Sequence, residues 1–381
     1  MDLSLSGEEM YGSLGVRRII NASGTTTMWG GSKLRPEAAE VMQKTSGVMA
    51  DLGELNRAAG KVLAEICGAE AGVVVSGSGG GLVMQAASVI AGKDPANMVR
   101  LPDTTGMKDE IIIHRSHRFG YDQLYRAAGA KFVEIGDGRR CYPWQLEAAF
   151  TENTAAVAYL YAQFVSKRAI PLPQVCEIAH ERGVPVIVDA ASTLPPRDNL
   201  RRYIREGADM VILSGGKGIR GPQGTGILVG RADLIEAAAA NAAPNAFLGR
   251  SMKVAKEEIM GLVTALRIFD QEDEEAETAR YREMMQVVMD ALIEVPGLRV
   301  SVQYDRIDYL VPTALIEFTP EWNGPSRDEV LQAMATGSPA IHLHQLGDPD
   351  ELGVDPINLD EDEVEVVIRR LREELLRPVG R

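Results

Sequence analysis

A lysine stands just past the apolar run Met210-Val211-Ile212-Leu213, in Ser214-Gly215-Gly216-Lys217-Gly218, and an aspartate closes the preceding run Val186-Ile187-Val188-Asp189. An amine beyond one buried strand and a carboxylate ending its predecessor are two groups that a pyridoxal phosphate site needs. The amine attaches to the cofactor's aldehyde. The carboxylate keeps the pyridine nitrogen protonated, so that the ring draws electrons from a substrate carbon. The glycines around Lys217 let the backbone pass close to a bound cofactor and adopt positive φ angles. The plain alternative is a different α/β cofactor site at the strand ends, because strands ending in Asp or Lys and glycine-rich turns recur in such proteins.

Several other segments fit the same site. Ser76-Gly77-Ser78-Gly79-Gly80-Gly81 follows a buried strand and opens the helical run Leu82 to Ala91, and backbone amides at such a helix start hold phosphate; without a lysine downstream it would read as an ordinary strand-to-helix turn. Ser214 is positioned to donate to the same phosphate or to cap a turn. His114 and His117 end the run Ile111 to Ile113, where a flat side chain can stack on a pyridine ring and move protons. His117 is preferred because it lies beyond the strand, the other reading for either being a surface histidine. Gln163 is a candidate partner for the cofactor's phenolic oxygen or a polar loop residue, and Ser192 is a candidate for the space beneath the ring.

These positions need a scaffold of parallel strands. From Gly72 to Gly230 short apolar runs alternate with amphipathic segments: Gly72 to Val75, Ile111 to Ile113, Lys131 to Ile135, Ala155 to Tyr161, Val184 to Val188, Met210 to Leu213 and Gly226 to Val229. The rhythm predicts an α/β fold with a mostly parallel seven-stranded sheet, and ligands belong at the carboxyl ends of such strands. After Arg250 a helical stretch from Lys256 to Glu294 with a break precedes strand, strand, helix, strand, strand, helix, which predicts a smaller α+β domain. Ser326 with Glu329, and Asp360 with Glu363, have capping-box spacing.

The chain has 381 residues, 45% hydrophobic and 25% charged, enough for two domains. A net charge of −14 argues against a nonspecific nucleic-acid surface. No apolar stretch reaches the length of a membrane span, and the start lacks a basic region followed by an apolar run, so a cytoplasmic protein without membrane association is expected. Cys67, Cys141 and Cys176 are scattered, which predicts neither a disulfide framework nor a metal site.

Ile20-Asn21-Ala22-Ser23-Gly24-Thr25, Arg115-Ser116-His117-Arg118, Val188-Asp189-Ala190-Ala191, Ser214-Gly215-Gly216-Lys217 with its Gly-Pro-Gln-Gly sequel, and Gly249 to Lys256 together resemble the bacterial selenocysteine synthase-like group of fold-type I pyridoxal phosphate enzymes. Within that group the pattern is most similar to the D-glucosaminate-6-phosphate ammonia-lyase branch. The resemblance spans nearly the whole chain. It implies a fold-type I transferase fold divided into an N-terminal segment 1–50 packing with the small domain, a large cofactor domain 51–250 and a C-terminal domain 251–381. It also implies a homodimer or higher homo-oligomer with shared active sites. Arg250, Lys253 and Lys256, with Arg220, are implied near the cofactor or the substrate's phosphate.

Two departures matter. Related enzymes often carry a carboxylate-binding arginine in a late small-domain strand, where this chain reads Pro339-Ala340-Ile341-His342-Leu343-His344-Gln345; Arg250, His342 or His344 must then serve an amino-acid carboxylate. The tRNA-dependent members carry an additional N-terminal tRNA-binding domain, whereas this sequence starts almost directly at Ile20-Asn21. The expected activity is an ammonia-lyase reaction on a 2-amino-3-hydroxy acid, an amino acid or amino-sugar acid bearing a phosphate. Lys217 would be the base, Asp189 the partner of the ring nitrogen and His117 the acid. Alternatives are a racemase, aminotransferase or carbon–carbon lyase on the same cofactor, a tRNA-dependent selenium transferase, or a binding protein without catalysis.

Overall fold

The computed structural model describes residues 4–162, 165, 169–345 and 350–378. The strands are β1 (Ile19–Ala22), β2 (Ala71–Ser76), β3 (Glu110–His114), β4 (Lys131–Ile135), β5 (Thr154–Leu160), β6 (Val186–Asp189), β7 (Met210–Ser214), β8 (Thr225–Gly230), β9 (Leu298–Gln303), β10 (Thr313–Phe318), β11 (Ala340–Leu343) and β12 (Glu351–Val354). Seven form one sheet in the order β2-β8-β7-β6-β5-β3-β4. Only β8 runs against its neighbours in this sheet, so the mostly parallel sheet expected from the sequence is present.

Its central strands are buried on both faces, which is why they read as unbroken Ile and Val runs. Along β6 and β7, Val188, Val211 and Leu213 enter one apolar cluster while Ile187, Met210 and Ile212 enter the other. The helix Gly77–Ala91 covers the second face. It approaches β7 closely because Gly81 has no Cβ; one would stand 2.3 Å from Ile212 Cδ1.

The chain divides into two compact units, Leu34–Glu272 and a smaller one made of Met1–Lys33 with Asp273–Arg381. The larger unit thus begins and ends away from the expected 50/51 and 250/251 boundaries. Helices Pro36–Ser46 and Lys256–Gln271 pack on each other and bury Ala38, Ile259, Leu262 and Leu266 in the core that contains Val211, which places both helices with the sheet.

In the smaller unit β1 pairs in parallel with β11, Ile20 opposite Ile341, while β12-β10-β9 form an antiparallel sheet. The helices Glu274–Leu292, Arg327–Thr336 and Glu361–Leu375 complete it. Ser326 forms the full reciprocal cap, with Glu329 N donating to its Oγ at 3.3 Å and Ser326 N donating to Glu329 Oε2 at 2.8 Å. At Asp360 the return bond is present, Asp360 N donating to Glu363 Oε2 at 3.1 Å. No helix among the described residues is long and apolar enough to cross a membrane.

Candidate active site

Because β2, β3, β5, β6 and β7 are parallel, their carboxyl ends lie on one edge of the sheet, and Ser76, His114, Leu160, Asp189 and Ser214 arrive there together. Lys217 opens a single 3-10 turn, Lys217–Ile219, three residues beyond the end of β7. Its φ of 27° and the φ of 58° at Arg220 are unusual for residues with side chains. The turn is pinned by Arg220 N donating to Gly216 O at 2.8 Å and Gly221 N to Gly215 O at 3.0 Å. Gly218 lets it press against the loop after Asp189: a Cβ there would stand 2.3 Å from Leu194 O.

Asp189 is 6% exposed. Among the described residues its carboxylate receives one hydrogen bond, from Ala191 N to Oδ1 at 3.0 Å. Burial pushes its pKa up, against the Ala191 amide and the Lys217 charge, which lower it. Burial pushes the Lys217 amine down, and Asp189 opposes that shift. Each group is thus the other's electrostatic partner in a poorly solvated site.

The helix Gly77–Ala91 starts at Ser76 without a side-chain cap. The hydroxyls of Ser76, Ser78, Ser192 and Ser214 make no hydrogen bonds to other described residues, and the first-turn amides of Ser78 and Gly79 point out of an uncapped helix end. Gly77 N donates to Gly224 O at 2.9 Å, and Gly226 brings β8 beneath the loop, where a Cβ would lie 2.5 Å from Gly77 O. Gly226→Ala should therefore displace the loop, lowering stability by about 1–3 kcal/mol and weakening phosphate-dependent binding. Parallel melting and cofactor titration check both effects.

His117 is 2% exposed, with Leu160 N donating to its Nδ1 at 3.3 Å, so in the neutral ring Nε2 carries the hydrogen. It borders a small cleft that Asp189, Phe119, Asp122, Tyr125 and Tyr159 also line. Its ring lies 4.6 Å from that of His114, which is fully buried and has no hydrogen-bond partner on either nitrogen among the described residues. Burial, aided at His117 by the His114 charge, lowers the two to about 3 and about 4. The expected acid role of His117 conflicts with this burial: the ring is neutral near pH 7 and suits stacking and hydrogen bonding.

Since the unfolded chain binds more protons than the folded one from about pH 6.5 down toward these values, the histidine contribution to stability is lost as pH falls. The melting temperature of cofactor-free protein should drop between pH 7 and 4.5, and His114→Phe should flatten that drop. Calorimetry across the range checks it.

Gln163 lies outside the described residues. Arg250 and Lys253 are exposed and have no ion pair or hydrogen bond from their side chains to other described residues. Their segment abuts the Ser76–Gly81 loop, since Gly249 and Met252 line one cavity with Ser76 and Gly80. Arg220 sits partly exposed in the lysine turn. Lys256 is diverted from the phosphate role: its Nζ donates to Thr45 O at 2.9 Å and Ser46 O at 2.8 Å, closing the end of helix Pro36–Ser46. His344 belongs to the smaller unit, 8% exposed, with Nδ1 3.4 Å from Ser23 O and its backbone paired with Gly353. His342 stacks on Trp29 with centroids 3.4 Å apart.

Two supporting residues went unread in the sequence. Gln85, fully buried, donates from Nε2 to Val188 O at 3.1 Å and accepts from Tyr125 Oη at 3.2 Å, holding the strand immediately before Asp189. A lone glutamine inside the apolar run Leu82 to Ala91 was the available signal.

A ring nitrogen, an aldehyde and a phosphate therefore each find a matching group on one sheet edge: an undersatisfied carboxylate, a desolvated lysine, and an uncapped helix start with unengaged hydroxyls. The residues fit pyridoxal phosphate.

The sequence model of the L-seryl-tRNA selenium transferase family matches residues 19–303. The chain belongs to this family. One relative, a 5'-C-glycyluridine monooxygenase-decarboxylase from a Streptomyces species, is 33% identical over 377 residues, covering 96% of this chain and 92% of that protein. Another, the D-glucosaminate-6-phosphate ammonia lyase of Salmonella typhimurium, is 29% identical over 374 residues, covering 96% and 97%. A solved structure of D-glucosaminate-6-phosphate ammonia-lyase matches with a TM-score of 0.86 and 28% identity, covering 97% of this chain and 99% of that one. This member of the selenium transferase family is a fold-type I enzyme, and pyridoxal phosphate is its cofactor.

Proposed function

We propose that the protein is a pyridoxal phosphate-dependent ammonia-lyase acting on a 2-amino-3-hydroxy acid, with phosphorylated amino-sugar acids as its substrate class. The observation that carries this reading is the end-to-end likeness to D-glucosaminate-6-phosphate ammonia-lyase, at a TM-score of 0.86. The site chemistry supports it.

The bound cofactor supplies an electron sink for the substrate's α-carbon. Lys217 is assigned as the residue that carries the cofactor and, once the substrate amine replaces it, as the base that takes the α-proton; the burial that lowers its pKa keeps more of it in the neutral form needed. Having taken that proton, Lys217 is also the acid for the departing β-hydroxyl, which leaves as water. Asp189 would hold a proton on the ring nitrogen. His117 would stack on the ring and orient through Nε2–H. The Ser76–Gly79 segment and Ser214 would hold the cofactor's phosphate through the serine hydroxyls and the Ser78 and Gly79 amides, with Gly77 fixing the segment by its bond to Gly224 O, and Ser192 would serve the ring. Water returns when the released enamine hydrolyses, giving a 2-keto acid and ammonia.

Arg250 and Lys253, with Arg220, are assigned to the substrate's phosphate, and His344 remains assigned to its carboxylate. Arg250→Ala with Lys253→Ala should raise KM for D-glucosaminate 6-phosphate about tenfold or more while barely changing that for D-glucosaminate, because a lost ground-state charge pair acts mainly on binding. Steady-state assays on both compounds check it. We further assign a cytoplasmic homo-oligomer acting on free small molecules and not on nucleic acid, with the N-terminal segment serving the small domain.

A second reading, oxidative decarboxylation of an amino acid, is favoured by the 33% identity to a monooxygenase-decarboxylase. An assay with D-glucosaminate 6-phosphate without oxygen separates the two. Equal yields of ammonia and keto acid support the lyase. An absolute oxygen requirement with carbon dioxide release selects the second reading.

A further inference from the structure

The lysine turn is held from outside the sheet by a residue that no sequence motif marks. Arg35 precedes Pro36 at the start of helix Pro36–Ser46, and proline keeps it extended, with φ −60° and ψ 135°. Its backbone N donates to Arg220 O at 2.9 Å, and its side-chain Nε donates to Ile219 O at 2.8 Å. One residue thus binds the last carbonyl of the Lys217–Ile219 turn and the carbonyl that follows. The rest of the guanidinium forms a two-pronged pair with Glu272, Nη1 to Oε1 at 2.8 Å and Nη2 to Oε2 at 2.7 Å. Arg35 is 6% exposed, so burying this charge is tolerable only because its donors are met in a fixed geometry. Leu34 and Glu272 are the residues at which the chain enters and leaves the larger unit. The pair therefore ties both crossings to the turn that carries Lys217.

We infer that Arg35, braced by Glu272, is a positioning residue that holds the strained lysine turn and so fixes where the Lys217 amine points and how little water reaches it. The inference rests on Lys217 being the cofactor-bearing lysine. A positive φ on a residue with a side chain has to be imposed by its surroundings, and the two Arg35 bonds are imposed from the carbonyl side of that turn. Lysine in place of Arg35 cannot reproduce the bond to Ile219 together with a two-pronged carboxylate pair.

Competitive acetylation of the cofactor-free protein across pH, read by peptide mass spectrometry, gives the titration midpoint of Lys217 separately from its accessibility. In wild type the midpoint should lie below those of the exposed lysines. In Arg35→Met it should move up by about one unit, a tenfold change in proton affinity, as the turn loosens and water enters. Glu272→Gln, which keeps the arginine but weakens its brace, should shift in the same direction by less, and circular dichroism confirms that each variant is folded. Should Arg35→Met not fold, Glu272→Gln decides alone. Folded variants whose Lys217 profiles overlay wild type would overturn the inference. Failure of borohydride to fix cofactor on wild-type Lys217 would instead overturn the functional reading on which it rests.

Discussion

Lys217→Ala should leave the fold intact and abolish turnover, by at least about 10²–10⁴-fold, the range contributed by one positioned proton-transfer group. The loss should be greater than that of any other single substitution, because this residue is assigned three tasks: attachment, base and acid. Partial rescue by added alkylamines would support its role in proton transfer, since a small free amine can occupy the emptied space. Single-turnover measurements with and without the amine provide the check. Unchanged turnover in a folded Lys217→Ala protein would leave the lysine turn without its assigned chemistry.

Asp189→Asn should lower turnover on the order of a hundredfold or more, the cost of removing a preorganised charge from a poorly solvated site, while leaving cofactor-free stability unchanged or raised. The two halves have one cause. Burial raises the Asp189 pKa above that of the unfolded chain, so the folded state binds the extra proton. Its contribution to stability is therefore present at low pH and lost as pH rises through the folded value, above which the ionised carboxylate, with one hydrogen bond from the described residues, is a burden. A substitution that stabilises the empty protein while crippling turnover marks a group kept for chemistry. Thermal melts at pH 7 and initial rates on the same preparations test this; a large loss of stability would show that Asp189 acts mainly as a structural anchor.

The sheet was legible because strands buried on both faces leave continuous apolar runs, and each of the seven runs from Gly72 to Val229 overlaps one of its strands. Asp189 was legible because it closes such a run, and Lys217 because it stands just beyond one, among glycines whose close contacts only become explicit in three dimensions. Other features depend on long-range pairing, which local sequence does not encode. The parallel pairing of β1 with β11 joins residues more than 300 positions apart. The Arg35–Glu272 pair spans 237 positions, and neither side chain belongs to a recognisable motif.

The unit boundaries moved for a related reason: helices on either side of the expected cuts proved to be packing partners. The histidine chemistry was less legible for a different reason. Position alone brought His117 to the strand end, but its protonation depends on burial beside His114, which neither residue type nor spacing expresses. Lys256 shows the same limit, since a basic residue in a promising segment proved to close a helix end.

The most direct test of the account is borohydride reduction of the purified protein with pyridoxal phosphate, followed by peptide mapping. The account predicts one pyridoxyl group per chain, on the peptide containing Lys217, and its disappearance in Lys217→Ala. An adduct on another lysine, or no stable adduct at saturating cofactor, would contradict it.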